Sequence, residues 1–231
     1  MKNKLYIFLS IICYVVSFFI LLFCIKIRLT PNINLNTSSR LTLLLIVCVL
    51  IYLGGLILIK KLDYNKKILK VNLIIYFLIY TVTIFSLTLF DEIYGRQGLI
   101  IIDWDKDLLN QYLESSFNII PFNTIKLFTQ GYMNGIVNYK NFSVNIIGNL
   151  LAFMPYGIFL PLIFKSTNKY YRFLITMILI VVIIELLQFV TMSGSCDIDD
   201  LILNVLGATI IYWVSRIKLI NLLIKKVFLF E

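Results

Sequence analysis

The sequence contains no histidine among its 231 residues. This absence excludes Ser-His hydrolysis, histidine-based phosphatase chemistry and HExxH zinc sites, because each needs an imidazole as base or ligand. Charge is also scarce: Asp, Glu, Lys and Arg make up 14% of the chain, whereas 60% is hydrophobic. A soluble domain is ordinarily about 45–50% apolar, so this composition predicts a bilayer as solvent. Any catalysis would have to use carboxylates, amides, a thiol or a metal held by oxygen ligands.

Cysteine is present only four times. Cys13, Cys24 and Cys48 lie within apolar runs, where a thiol is most simply a small apolar filler. Cys196 stands alone in a short polar segment, so the sequence predicts no disulfide framework.

The apolar residues are gathered into six runs that carry little or no charge. A helix of about 18 or more such residues crosses the roughly 30 Å hydrocarbon layer of a bilayer. The last run is short and reaches that length only with its acidic start or its basic end. The sequence therefore predicts an all-α fold, a polytopic membrane helical bundle of about six transmembrane helices. The predicted spans are Leu5–Ile25, Leu41–Ile59, Val71–Phe90, Val144–Phe164, Phe173–Met192 and Leu201–Ser215.

The net charge of +9 comes from basic residues at the ends of these runs. Basic residues in that position set topology and meet anionic headgroups, so we expect membrane lipids and not nucleic acid as partners. The orientation that leaves both termini cytoplasmic puts twice as many basic residues inside as outside. It predicts that 91–143 and 193–200 face the outside. Within the first of these, Leu108–Ser116 is predicted as a short helix.

Polar side chains cluster at the predicted outer ends of three helices. Glu185 is followed one turn later by Gln188 on the same face. Asn145 and Asn149 are spaced i, i+4 at the start of the fourth span. The last helix begins with Asp197, Asp199 and Asp200 and continues to Asn204, and its members at i, i+3 and i+7 share a face. The candidate pocket residues are Asn145, Asn149, Glu185, Gln188, Asp197, Asp200 and Asn204.

Each of these groups also has a structural interpretation. Asp197 is a candidate N-cap with Asp200 as its capping-box partner, and Asp199 favours the helix dipole. Glu185 and the asparagines are candidates for hydrogen bonds that join helices. A third interpretation makes Asp197, Asp199 and Asp200 ligands of a divalent cation, for which oxygen ligands favour Mg²⁺ or Ca²⁺. No cofactor other than such a cation is indicated.

Four motifs together resemble the VanZ-like family of membrane proteins. Phe117–Ile125 (FNIIPFNTI) is similar to the Asn-Leu-Ile-Pro-Phe-x-Thr-Ile entry of that family. Residues 145–157 resemble its Asn-x-x-x-Asn-x-x-x-Phe-x-Pro-x-Gly helix. Residues 184–189 and 197–207 resemble its last two signatures, and the order and spacing agree over roughly Ser86–Tyr212.

The resemblance implies a domain organisation and a setting. Residues 1–70 form two N-terminal transmembrane helices outside the match, and residues 71–220 form a VanZ-like membrane domain that includes the extracytoplasmic loop. Residues 221–231 form a short basic tail. The family implies a multi-pass protein of the bacterial cell membrane. Many members carry an Arg just before the Asp motif, where this chain has residues 194–196 (Gly-Ser-Cys), so an Arg–carboxylate pair is not expected here.

The family's founding member is an accessory protein of glycopeptide resistance that acts against teicoplanin, a lipid-tailed drug. The first functional hypothesis is therefore a cell-envelope protein whose outer-leaflet polar pocket engages a lipid-linked envelope precursor or a lipoglycopeptide. The second is a metal-dependent membrane enzyme that acts on a lipid phosphate headgroup. The third is a non-catalytic membrane scaffold. The resemblance assigns no catalytic residue, so whether the protein is an enzyme stays open.

Overall fold

The computed structural model describes residues 2–29, 35–62, 67–90, 106–191 and 194–228. In these ranges the chain is almost wholly helical, as the apolar runs predict. Its elements, in chain order, are α1 (Lys2–Leu29), α2 (Thr37–Leu62), α3 (Lys67–Phe90), α4 (Lys106–Ser116), β1 (Phe117–Asn118), α5 (Asn123–Met133), α6 (Tyr139–Phe142), a π-helical turn (Ser143–Gly148), α7 (Asn149–Ala152), α8 (Tyr156–Ile163), a 3₁₀ turn (Lys165–Asn168), α9 (Tyr170–Thr191), β2 (Cys196–Asp197), α10 (Ile198–Val214) and α11 (Lys218–Phe228).

Five stretches of helix within the described residues are long and apolar enough to cross a membrane. The sixth predicted span is α10, which has only 17 residues, and α11 continues from it after a bend of 91°. The bundle has six spans if that bent pair is counted as one. The polytopic all-α prediction is confirmed. The five stretches are Asn3–Ile27, Thr37–Ile59, Lys67–Leu89, Tyr139–Ile163 and Tyr170–Thr191.

The chain divides into two compact units, residues 1–81 with 225–231 and residues 82–224. In the first unit, polar side chains join helices that are otherwise apolar. Ser10 of α1 donates its hydroxyl to the Gly54 carbonyl of α2 at 3.0 Å, and Tyr14 donates to Asn72 Oδ1 of α3 at 3.2 Å. Hydrogen bonds of this kind stabilise helix pairs in lipid, where water is absent as a competitor.

In the second unit, close backbone contact sets the position of α10. A Cβ on Gly207 would collide with the Leu150 carbonyl of α7, and one on Gly157 of α8 would lie 2.5 Å from the Ala208 carbonyl. Only glycine allows backbones to approach so closely. These two glycines therefore allow the middle of α10 to approach α7 and α8 closely.

The fourth span is interrupted twice. The π-helical turn (Ser143–Gly148) precedes α7, and α7 ends at Ala152, three residues before the N-cap Pro155 of α8. A proline has no backbone N–H to donate and its ring clashes with the preceding turn, so a break before Pro155 follows. Pro161 lies inside α8.

The long connection 91–143 is described from Lys106 onward, so its residues 91–105, which carry several of its acids, lie outside the described residues. The predicted short helix is α4, which begins two residues earlier than predicted and ends at Ser116. Its Tyr112 packs edge-on against Phe189 of α9, with ring centroids 5.8 Å apart. The two-residue strands β1 and β2 pair in parallel, with Asn118 opposite Asp197. They were not predicted, and they place the apolar loop segment against the start of α10.

Candidate functional site

Four acids lie where the C-terminal half of α9 meets the start of α10: Glu185, Asp197, Asp199 and Asp200, here called the acidic cluster. Asp197 is the N-cap of α10, since its Oδ1 accepts the Asp199 N–H at 2.8 Å. The Asp197 N–H donates to Glu185 Oε2 at 3.0 Å. The prediction that Asp197 caps the helix is confirmed, but the acceptor for its own N–H is Glu185, whereas the predicted capping-box partner was Asp200.

Asp199 joins α10 to the loop. Its side chain is 0% exposed, and its two oxygens accept the backbone N–H groups of Phe122 at 2.5 Å and Ile125 at 3.0 Å. Phe122 adopts the left-handed conformation with φ of 65°, which an L-residue other than glycine seldom does. The buried carboxylate thus satisfies the first N–H groups of α5 and fixes the turn that precedes it.

Asp200 contacts the fourth span. Asn149 donates its side-chain amide to Asp200 Oδ1, which joins the start of α7 to the start of α10. The other predicted asparagine does something different, because Asn145 donates to the Asn141 carbonyl of its own helix at 2.8 Å. Asn145 lies inside the π-helical turn (Ser143–Gly148), and Asn149 follows directly after it.

Two amides of the site have oxygens without a hydrogen-bond donor among the described residues. Gln188 donates its Nε2 to the Thr88 carbonyl at 3.0 Å, and its Oε1 is buried without a partner. Asn204 lies one turn beyond Asp200 on the same face of α10, and its Oδ1 is likewise buried without a partner. The side chains of Gln188 and Asn204 are 3% and 5% exposed.

The charges of the acidic cluster affect the pKa of the neighbouring Cys196 thiol. Burial and, to a smaller extent, the charges of Glu185, Asp197 and Asp200 together raise the pKa of Cys196 to about 11. Cys196 is half-buried in β2, outside the helical spans. The pKa of this thiol therefore depends on three of the four acids in the cluster.

An exposed apolar segment borders the cluster. Ile119, Ile120 and Phe122 all expose most of their side-chain surface. The same short segment is bonded to the acids at both ends, by Asn118, which donates to Asp197 Oδ1 at 2.9 Å, and by the backbone N–H groups held by Asp199. A charged site and an apolar surface are thus carried by one piece of chain.

Sequence reasoning missed the loop's share of the site. Asn118 belongs to the FNIIPFNTI motif but is not among the candidate pocket residues. The backbone N–H groups of Phe122 and Ile125 cannot be identified from a pattern of side chains. The position of Asn118 directly before an apolar, proline-broken segment was the available signal. Nothing in the sequence pointed to the Thr88 carbonyl as the partner of Gln188.

The predicted metal set is not gathered as a group. Among the described residues no three His, Cys, Asp or Glu side chains are arranged to hold a metal ion. Asp199 turns both oxygens to the loop, while Asp197 and Asp200 contact different asparagines. A Mg²⁺ or Ca²⁺ ion at Asp197, Asp199 and Asp200 stays a prediction without geometric support in this part of the chain.

The two hydrogen bonds between the Asp199 carboxylate and the loop backbone give a first testable prediction. Asp199→Asn replaces one acceptor oxygen by an NH₂ group that faces a backbone N–H, so one of the two bonds is lost. Hydrogen bonds to charged groups contribute about 1.5–3 kcal/mol each. We expect faster hydrogen exchange at the first amides of α5 and faster proteolysis at residues 117–125. Asp200→Asn, which keeps an oxygen for Asn149, serves as the control. Equal rates of hydrogen exchange and proteolysis in the two variants would contradict a role for Asp199 in holding the loop.

Comparison with known proteins places this geometry in a family. The sequence profile of the VanZ/LLP1 family matches residues 77–220, more than half of the chain. The matched region contains the acidic cluster, Asn149, Asn204 and the apolar loop segment. No curated protein and no solved structure matches the chain.

Proposed function

Because the chain belongs to the VanZ-like family of membrane proteins, we propose that it is a cell-envelope protein whose acidic cluster engages the head of a lipid-linked or lipid-tailed ligand. The ligand class includes lipid-linked envelope precursors and lipoglycopeptides. The proposal extends to a contribution to resistance against teicoplanin, in which capture of the lipid-tailed drug at the membrane surface lowers its concentration at its target.

The proposed setting is the bacterial cell membrane with both termini in the cytoplasm. The distribution of basic residues supports this orientation, and it puts the acidic cluster at the outer face. A ligand assembled or delivered in the outer leaflet would then reach the cluster without crossing the membrane.

The observation that carries the proposal is the bond between the acidic cluster and the apolar segment. Asp199 holds the backbone of Phe122, whose exposed side chain continues the apolar surface of Ile119 and Ile120. An amphiphile has a polar head and an apolar tail joined at a fixed distance. A polar cluster joined by hydrogen bonds to an exposed apolar surface can contact both parts of an amphiphile. A site for a small polar solute would need no adjoining apolar surface.

The proposal is tested by deletion and complementation. A deletion strain is expected to become more sensitive to teicoplanin and to keep its sensitivity to a glycopeptide without a lipid tail. The wild-type gene should restore resistance, and a variant with Ile119→Ser and Ile120→Ser should not, because the tail surface is lost. Ile136→Ser, an exposed residue beyond α5, is the matched control. Equal changes towards both drugs, or none towards either, would contradict the proposal and favour a scaffold.

A further inference from the structure

Two amide side chains near the acidic cluster carry oxygens that have no hydrogen-bond donor among the described residues. Asn204 Oδ1 and Gln188 Oε1 are buried without a hydrogen-bond partner among the described residues. A buried acceptor without a donor costs about 1–3 kcal/mol, and buried polar groups in proteins are rarely left in that state. Two such oxygens in one site indicate that a donor comes from outside the chain.

Each of the two amides lies about one helical turn from an acid on its own helix. Asn204 is one helical turn from Asp200 on α10, and Gln188 is about one turn from Glu185 on α9. The sequence has no Lys or Arg between Arg172 and Arg216, so α10 and the part of α9 that carries the acids bring no positive charge of their own. The missing donor is therefore expected to be cationic.

The charge and the acceptors together restrict the chemical class of the ligand. A phosphate offers acceptors and negative charge, both of which the cluster already has in excess. A quaternary ammonium carries positive charge but has no N–H to give. A primary ammonium has three N–H donors and a positive charge, which is what carboxylate and amide oxygens can share.

We propose that the acidic cluster binds a primary ammonium group on the head of an amphiphile, with Asp200 and Asn204 Oδ1 as acceptors and Glu185 as a second negative charge. Asp200 is half-buried, and Asn204 is buried one turn further along α10. In the proposed complex the ammonium group passes the Asp200 carboxylate and donates to Asn204 Oδ1. The proposal rests on the proposed function and specifies the head that the site selects.

The test measures binding of dodecylamine to the purified full-length chain in detergent micelles. Dodecyltrimethylammonium has the same charge without donors, and dodecanol has a donor without the charge. We expect dodecylamine to bind about 10- to 100-fold more tightly than either, the range that one charge-assisted hydrogen bond provides. Equal binding of the two cations would overturn the proposal, and so would displacement of dodecylamine by Ca²⁺ in a manner reversed by EDTA.

Asn204→Leu separates a ligand contact from a structural one. Leucine has nearly the shape of asparagine and removes the buried acceptor, so the thermal stability of the free protein should stay the same or rise while dodecylamine affinity falls about tenfold. A structural role predicts the reverse, a loss of stability. Asn221→Leu on α11 removes an amide that bonds the Ser215 carbonyl and should leave the affinity unchanged. A destabilised Asn204→Leu protein that still binds dodecylamine would overturn the assignment.

Two further experiments complete the test. One identifies the source of the ammonium group, and the other distinguishes the ammonium site from the lipid-tailed ligand of the proposed function. Dodecylamine binding is repeated in nanodiscs of phosphatidylethanolamine and of phosphatidylcholine. Competition by the first alone identifies a membrane phospholipid as a source, and equal binding in both points to an amine on a lipid-linked or lipid-tailed compound. Butylamine tests the tail. If it binds as tightly as dodecylamine, the lipid-tailed ligand of the proposed function is wrong while the ammonium site stands.

Discussion

Glu185→Gln is expected to abolish dodecylamine binding and teicoplanin resistance while leaving the protein folded and abundant. Glu185 is buried, and its Oε2 accepts the N–H of Asp197 at 3.0 Å. Glutamine has nearly the same shape and keeps an oxygen for that bond, so the start of α10 should be preserved. The change removes only the negative charge, which an intramembrane carboxylate retains at a cost and which is therefore a functional candidate. Binding is measured by titration, and folding by thermal unfolding in detergent.

Glu185→Leu provides the contrast. It removes the acceptor as well as the charge and leaves the Asp197 N–H without its partner Glu185, a loss of about 1–3 kcal/mol. We expect a lower unfolding temperature for this variant alone. If Glu185→Gln binds dodecylamine and confers resistance at the wild-type level, the charge is not used, and Glu185 serves only to join α9 to α10.

The helical spans were predictable because they depend on local composition. An uncharged apolar run long enough to cross a bilayer has few alternatives to a helix, since lipid offers no partner for an open backbone. The glycines of α8 and α10 and the break before Pro155 were predictable for the same reason, because they reflect backbone chemistry at single positions. The sixth span ends at Val214, one residue before its predicted end, but the 91° bend that leads into α11 was not predicted.

The candidate site was predictable only where one helix carries it. Asp200 and Asn204 lie on one face of α10 because of the 3.6-residue period, whereas Asp197, predicted on the same face, is the extended N-cap that precedes the helix. Asp199 lies on a different face, and what occupies that side is a loop more than 70 residues away in the chain. The π-helical turn at the start of the fourth span was not predictable either, because nothing in the pattern of Asn145 and Asn149 reveals it.

Cys196 is expected to react with maleimide about 100-fold more slowly at pH 8 than a thiol of ordinary pKa, because thiolate is the reactive form. Burial and the three neighbouring carboxylates raise the pKa of Cys196 from 9.0 to about 11. At pH 8 this leaves about one thiol in a thousand ionised instead of about one in ten. The rate should rise about tenfold for each pH unit up to about pH 11, whereas an ordinary thiol levels off near pH 9.

The same measurement reports the charge of the acidic cluster and the orientation of the protein. A variant with Cys13, Cys24 and Cys48 replaced by serine keeps Cys196 as its one thiol. In that background Asp200→Asn removes one of the charges that raise the pKa, so alkylation should accelerate, whereas Asp107→Asn on α4 should leave the rate unchanged. A membrane-impermeant maleimide at pH 9 should label Cys196 in intact cells. Labelling only after permeabilisation would contradict the predicted orientation. A rate at pH 8 equal to that of an ordinary thiol would contradict the effect of Glu185, Asp197 and Asp200 on the pKa of Cys196.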